Sequence, residues 1–292
     1  MALTCSLPTL KAQNLYVANG YDGYEGNNIG EYQLNGSTVN ASLISSGLDD
    51  PNGIAISGND LFVVNQFNST IGEYTTSGAT VNASLITGLN GDPWNVAISG
   101  NDLFVANYTG TIGEYTASGA TVNASLITGL STPWGIAISG NDLFIANIGN
   151  GTVGEYTTSG TTINASLISG LDGPLGLAIS GNDLFVGNFD GGTIGEYTTS
   201  GATVNASLIT GFGPNGPTGI AISGNDLYVA NSYDDNIGEY TTSGVAVNAL
   251  LISASSGLAD PEGIAISPAP EPSAVALAGL GAAALWVWRR RK

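Results

Sequence analysis

The sequence predicts an all-β chain folded as a six-bladed β-propeller with four antiparallel strands per blade, and three observations carry that expectation. First, the tetrad Ile-Gly-Glu-Tyr, with one Val for Ile, places its Glu at 31, 73, 114, 155, 196 and 239, at spacings of 42, 41, 41, 41 and 43 residues. A fixed period in that range marks an array of supersecondary units. Second, each unit divides into four short runs rich in β-branched and aromatic residues, separated by Gly, Ser, Asn and Asp turn signals. Third, no window shows the period of an amphipathic helix. Four strands in about 41 residues is the spacing of a propeller blade.

The strands follow in order. In one copy they are expected at residues 135–139, 143–147, 152–157 and 161–168. The first belongs to a Pro-x-Gly-(Ile/Leu)-Ala-Ile-Ser phrase that starts at Pro51, Pro93, Pro133, Pro174, Pro217 and Pro261, with Asn95 and Val96 altering the second copy. A Ser-Gly-Asn-Asp turn leads into the second strand, its first Asn at 59, 101, 141, 182 and 225; Gln13-Asn14-Leu15-Tyr16 stands in the first copy's place. The third strand carries Gly-Glu-Tyr. A Thr-Ser-Gly turn then leads to the fourth, where Asn40, Asn82, Asn123, Asn164 and Asn205 open Asn-Ala-Ser triplets. Those triplets match a glycosylation acceptor, but their lock to the repeat makes them structural strand residues. The chain begins on a second strand, 15–19, and ends on a first strand, 263–267, so the two complete one blade, close the ring and remove its sheet edges.

Composition excludes several functions. Among 292 residues there is no His, so a Ser-His-Asp triad, a His-zinc site and a His general base are ruled out. The single Cys5 cannot form an intrachain disulfide. Residues 1–288 hold all 23 acids against Lys11 alone, a net charge of −22. Nucleic acid requires cationic side chains to release phosphate counterions, so it is not a partner.

In an up-and-down blade successive connections alternate between the two faces of the disc. Connections 1–2 and 3–4 are nearly invariant; connections 2–3 and blade-to-blade differ in every copy. The variable face carries aromatics, Tyr21, Tyr24, Phe67, Trp94, Tyr108, Trp134, Phe189, Phe212 and Tyr233, which are expected to be exposed. It also carries eleven acids, among them Asp22, Asp92, Asp190, Asp234, Asp235 and Glu262. Variable aromatic and acidic loops on a rigid scaffold make a recognition surface; drift of tolerant loops after duplication is the bland alternative. Rings stack on apolar sugar faces while carboxylates accept hydroxyl bonds, so a neutral or amine-bearing glycan fits, and a basic protein patch is the other fit. The six strand-3 Glu, without cationic partners, are expected to accept hydrogen bonds from Thr, Ser or Asn of an adjacent strand. No cofactor is expected. Calcium is conceivable at Asp234-Asp235-Asn236, where oxygen ligands gather, although no EF-hand spacing occurs.

The phrases Gly-Ile-Ala-Ile-Ser, Asn-Asp-Leu-Phe-Val-Ala-Asn and Thr-Ile-Gly-Glu-Tyr resemble the NHL-type propeller repeat over roughly residues 14–267. The chain departs from it in placing Asn107, Asn147 and Asn231 where that repeat often has Asp, and Gly-Glu inside the third strand. Propellers similar in shape include gluconolactonase-type enzymes, whose channel metal is held by Glu, Asn and Asp. The residues placed to match are Asn52, Asn95 and Glu262, each at the start of a blade beside the channel.

Residues 268–292 form a separate tail: a Pro270-Glu271-Pro272 triplet, the uncharged stretch 274–288, then Arg289, Arg290, Arg291 and Lys292. Fifteen residues rise about 22 Å as a helix, short of a hydrocarbon core of about 30 Å. Trp286 and Trp288 suit its interface, and the basic cluster favours the cytoplasmic side. This tail resembles the PEP-CTERM sorting signal. The resemblance implies export in a Gram-negative-type bacterium, recognition by an exosortase in the inner membrane, cleavage near the triplet, and release to the cell surface or exopolysaccharide matrix. Residues 1–12, with no basic n-region and with Pro8 and Lys11 interrupting the apolar run, read as the remnant of a signal peptide. The expected whole is thus 1–12 leader remnant, 13–267 propeller and 268–292 sorting tail. It is an exported, monomeric, non-catalytic propeller that binds a glycan or protein. A lactonase-like hydrolase and a purely structural matrix component are the alternatives.

Overall fold

The computed structural model describes residues 13–21, 26–89, 91–213 and 215–268, with Tyr21 described by its backbone alone. Residues 1–12, expected as a leader remnant, together with Asp22, Tyr24, the apolar segment 274–288 and the triplet and arginines of the tail, lie outside the described residues. Among the described residues no helix is long and apolar enough to cross a membrane.

Twenty-four strands form six four-stranded antiparallel sheets. In chain order, β1 (Asn14–Tyr21), β2 (Gly26–Gln33) and β3 (Thr38–Ile44) come first. The second blade is β4 (Pro51–Ser57), β5 (Asp60–Asn65), β6 (Thr70–Thr75) and β7 (Thr80–Ile86). The third is β8 (Pro93–Ser99), β9 (Asp102–Asn107), β10 (Thr111–Thr116) and β11 (Thr121–Thr128). The fourth is β12 (Pro133–Ser139), β13 (Asp142–Asn147), β14 (Thr152–Thr157) and β15 (Thr162–Ser169). The fifth is β16 (Pro174–Ser180), β17 (Asp183–Asn188), β18 (Thr193–Thr198) and β19 (Thr203–Thr210). The last is β20 (Pro217–Ser223), β21 (Asp226–Asn231), β22 (Asn236–Thr241) and β23 (Ala246–Ser253), and β24 (Pro261–Ile266) returns to pair with β1. The innermost strands touch in sequence around the ring, β24 meeting β4. The expected closure by the two ends of the chain is thereby observed. It is fastened by the Asn14 N–H donating to Ser267 Oγ at 2.8 Å and the Gln13 amide donating to the Ser267 carbonyl at 3.0 Å.

The core lies between blades. Ala55, Phe62, Val64 and Ile71 of one blade pack on Val96, Leu103, Val105 and Tyr115 of the next, and equivalent clusters fill the other interfaces. The glycine inside the third strand has a steric cause. The ring of the Tyr two residues on lies across it, so a Cβ on Gly72 would come within 2.6 Å of Tyr74 Cε2, and the same holds in every blade.

The strand-3 Glu divide by what faces them on the second strand. Glu31 takes a 2.6 Å bond from the Asn14 amide and lies 3.1 Å from the Tyr16 hydroxyl; Tyr228 reaches Glu239 at 3.3 Å. In the remaining blades Phe62, Phe104, Phe144 and Phe185 hold that register position, and their Glu receive no side-chain hydrogen bond among the described residues. Expected donors were Thr, Ser or Asn of an adjacent strand; only Glu31 has one, and tyrosine serves in the other instance. Burial, then the nearby Asp60, Asp102, Asp142 and Asp183, push Glu73, Glu114, Glu155 and Glu196 above the usual carboxylate range.

Candidate ligand-binding face

Backbone bonds confirm the two faces. Turns 1–2 and 3–4 are tied together, as in Thr76 N–H to Asn59 O at 2.8 Å, while 2–3 loops bond to blade-to-blade loops, as in Tyr108 N–H to Asp92 O at 2.9 Å. The first strand of each blade begins earlier than the sequence suggests. Pro133 pairs with Asn147, and a register shift follows before Ile136. Proline suits a strand's first position because it has no N–H to give the ladder. The residue after that proline, expected in a loop, is therefore a strand residue at the channel mouth. It is also the position at which the repeated phrase differs most: Asn52, Trp94, Trp134, Leu175, Thr218 and Glu262.

The backbones are close there. A Cβ on Gly135 would collide with the Leu175 carbonyl, and one on Gly263 with that of Asn52. Asn95, replacing this glycine in the third blade, folds its amide so that Oδ1 accepts its neighbour's Val96 N–H at 2.8 Å. Trp94 and Trp134 project from adjacent blades onto each other, ring centroids 3.6 Å apart and planes tilted by 36°. Tyr108 stands 5.8 Å from Trp94 and is 49 % exposed. Both tryptophans are half-buried, and Trp94 Nε1 is buried without a partner among the described residues.

Two cavities meet at these rings. An open cleft of about 440 Å³ is lined by Asp92, Trp94, Tyr108, Thr132, Trp134, Ile148 and Gly149. Thr132 holds a φ of 52°. That conformation strains a β-branched residue, and such strain gathers at functional sites. A second cavity of about 90 Å³ lies in the channel mouth, bordered by Asn52, Asn95, Trp134, Thr218 and Glu262 above a ring of Ile54, Val96, Ile136, Leu177, Ile220 and Ile264. Trp134 borders both. Beyond that ring the channel is walled by Ile, Ala, Val and Leu.

Glu262 is the unusual group. Its side chain borders the small cavity, yet Oε2 is shut from solvent with no hydrogen-bond partner among the described residues. Burial, then the Asp260 and Asp50 carboxylates, push it well above the usual carboxylate range. Thr218 donates instead to the Pro261 carbonyl at 2.8 Å.

The structure therefore brings together Asp92, Trp94, Tyr108 and Trp134, with Glu262, Asn52 and Asn95 across Trp134, and leaves the other described candidates of this face apart. Phe67 and Tyr233 are each 61 % exposed and Phe189 is half-buried, but none lines either cavity. Asp190 places Oδ2 against Gly173. Phe212, expected to be exposed, is partly buried against its blade's core and meets Tyr240 edge-on at 5.7 Å. The Asp234-Asp235-Asn236 loop uses its oxygens internally: Asp234 Oδ2 accepts from Asn231 at 3.0 Å and Asp235 Oδ1 from the Asp260 N–H at 2.6 Å. Among the described residues no three acidic or thiol side chains converge as a metal cluster. Thr132, Ile148 and Gly149 were not anticipated; their signal was position, beside the two tryptophans in the variable loops.

Residues 268–292 match the family model described as the PEP-CTERM protein-sorting motif. Such a motif marks export and sorting to the cell envelope or surface. No curated protein matches the chain. Among solved structures, the propeller is similar to a chain in "Crystal structure of Nidogen/Laminin Complex", with 14 % identity, TM-score 0.71, and coverage of 89 % of this chain and all of that one. A computationally designed protein, Ika8, aligns at 16 % identity and TM-score 0.49 over 85 % of this chain and 73 % of its own.

Proposed function

We propose that this chain is an exported surface or matrix protein whose propeller, residues 13–267, binds a glycan, without catalysis, through the variable face. The observation that carries the reading is the open cleft of Trp94, Trp134 and Tyr108, built on the one face where the repeats diverge. Aromatic rings offer flat apolar area to the C–H face of a sugar, and Asp92 at the rim supplies acceptors for its hydroxyls. A protein bearing a basic patch is the competing ligand, favoured by the acids of this face and by the laminin complex formed by the similar nidogen chain.

In this reading residues 274–288 form a short membrane helix that holds the precursor in the inner membrane. An exosortase cuts near Pro270-Glu271-Pro272, and the monomeric propeller is released. The non-catalytic reading rests on the apolar channel wall, with Glu262 the one carboxylate among the described residues at the channel-mouth cavity; Asn52, Asn95 and Glu262 do share that cavity as the lactonase-like alternative requires.

A glycan array probed with the full-length chain tests the binding reading. Signal on neutral or amine-bearing glycans that disappears in Trp134→Ala supports it. Binding confined to basic proteins and abolished by salt, as screening over about 8 Å demands, assigns the face to a protein partner. Turnover of a lactone that survives Trp134→Ala and is lost in Glu262→Gln would establish the hydrolase instead.

A further inference from the structure

Trp134 forms a wall of both cavities, so a ring stacked in the cleft lies next to the channel mouth, where Glu262 holds a buried oxygen without a partner. A carboxyl group in that position holds a proton, stays unpaired at a cost, or receives a donor or cation from a ligand. Further acid surrounds it: Asp260 and Asp50 act on it electrostatically, and Asp235 accepts the Asp260 N–H. The described body contributes no Lys or Arg. The volume of about 90 Å³ admits a substituent of a few heavy atoms and not a second sugar ring. Asn52 and Asn95 add amide groups to its border.

Resting on the glycan reading above, we propose that the site selects de-N-acetylated amino sugars: the pyranose ring lies in the cleft of Trp134, Trp94 and Tyr108, and its ammonium group enters the channel mouth to pair with Glu262. An N-acetyl group in the same place brings a bulky neutral amide to a carboxylate. A uronic or sulfated sugar brings a like charge, which is repelled. The ammonium alone supplies several donors and the opposite charge, and charge-assisted bonds are about twice as strong as neutral ones.

The test is calorimetry of the full-length chain with β-1,4-linked glucosamine oligomers against N-acetylglucosamine oligomers of equal length. Wild type is expected to prefer the amine-bearing oligomer by about tenfold or more, the scale of one charge-assisted bond. Glu262→Gln, which keeps the shape, brings the two affinities together by weakening binding of the amine-bearing oligomer. Asn52→Asp, adding a carboxylate to the cavity, widens the preference and serves as the second variant should Glu262→Gln unfold. Asp142→Asn, in a turn of the opposite face, leaves the preference intact. Equal affinities in wild type, with both oligomers bound, overturn the ammonium pairing and leave the glycan reading standing. Equal losses in Glu262→Gln and Asp142→Asn reduce the preference to general attraction of a polycation and overturn the site. No binding of either oligomer overturns both.

Discussion

The stacked tryptophans give the sharpest quantitative expectation. Truncating a fully buried aromatic costs about 3–5 kcal/mol, so half-buried Trp134 should cost about 2 kcal/mol on conversion to Ala. Trp94→Ala should cost less, because it also removes an indole N–H that is buried without a partner among the described residues, a group that itself costs about 1–3 kcal/mol. With centroids 3.6 Å apart the rings interact directly. The double mutant should therefore be less destabilised than the two single losses together, by a coupling of about 0.5–1.5 kcal/mol. Guanidinium unfolding of wild type, both single mutants and the double mutant measures that coupling, and Trp94→Phe, which keeps a ring but drops the N–H, should be neutral or stabilising. Strict additivity would refute the stacking. A clear loss of stability in Trp94→Phe would show that the N–H does have a partner.

Three further outcomes follow from the blades. Glu73, Glu114, Glu155, Glu196 and Glu262 are all held above their ordinary range, so the folded state binds protons more tightly than the unfolded chain; that stability is present in acid and lost as pH rises through the folded values. Thermal unfolding should therefore come at a higher temperature at pH 5 than at pH 7, with a slope flattened when the four strand Glu become Gln. Tyr16→Phe removes a hydroxyl 3.1 Å from Glu31 and should cost about 1.5–3 kcal/mol in denaturant titration, whereas Phe104→Tyr, which places a hydroxyl in the same register opposite Glu114, should stabilise by about 1 kcal/mol. Ending the chain after Asp260 deletes β24 and bares β1, and light scattering should show aggregation where the intact ring stays dispersed.

The blades were legible because a repeat averages over its copies. The six Leu-(Phe/Tyr)-x-x-Asn runs report the same buried strand six times, and the half-blades at residues 15–19 and 263–267 are left to pair with each other. The same averaging hid the site. Trp94, Trp134 and Glu262 occupy the one slot of the Pro-x-Gly phrase that the repeat leaves free, and a reading by loops placed them outside the strands. Periodicity also says nothing about which neighbouring side chains meet. The contact of Trp94 with Trp134 depends on blade-to-blade geometry, as does that of Phe212 with Tyr240. Nor does periodicity explain the glycine of Gly-Glu-Tyr, which the tyrosine ring lying over it requires.

The outer strands show how the same repeat manages its exposed edges. A closed ring removes the edges at the chain ends but leaves six outermost strands, β3, β7, β11, β15, β19 and β23, facing solvent, and none contains a charged residue. Such edges invite pairing with other chains unless something blunts them. Here the register slips: between Ile71–Ile86 and Glu73–Asn82, β6 advances two residues while β7 advances four. In that irregular stretch Asn82 Oδ1 accepts the Ser84 N–H at 3.1 Å, covering a donor with the strand's own side chain. The arrangement recurs around the ring, the sixth copy included. There the triplet reads Asn248-Ala249-Leu250, no longer a glycosylation acceptor, yet Asn248 Oδ1 still accepts the Leu250 N–H at 3.2 Å. The Asn and its hydrogen bond therefore persist where the Ser does not. The rim is thus made neutral and blunt by the repeat itself, and the acids outside the third strands and the tail are left to the two faces, where one is uniform and the other is free to differ.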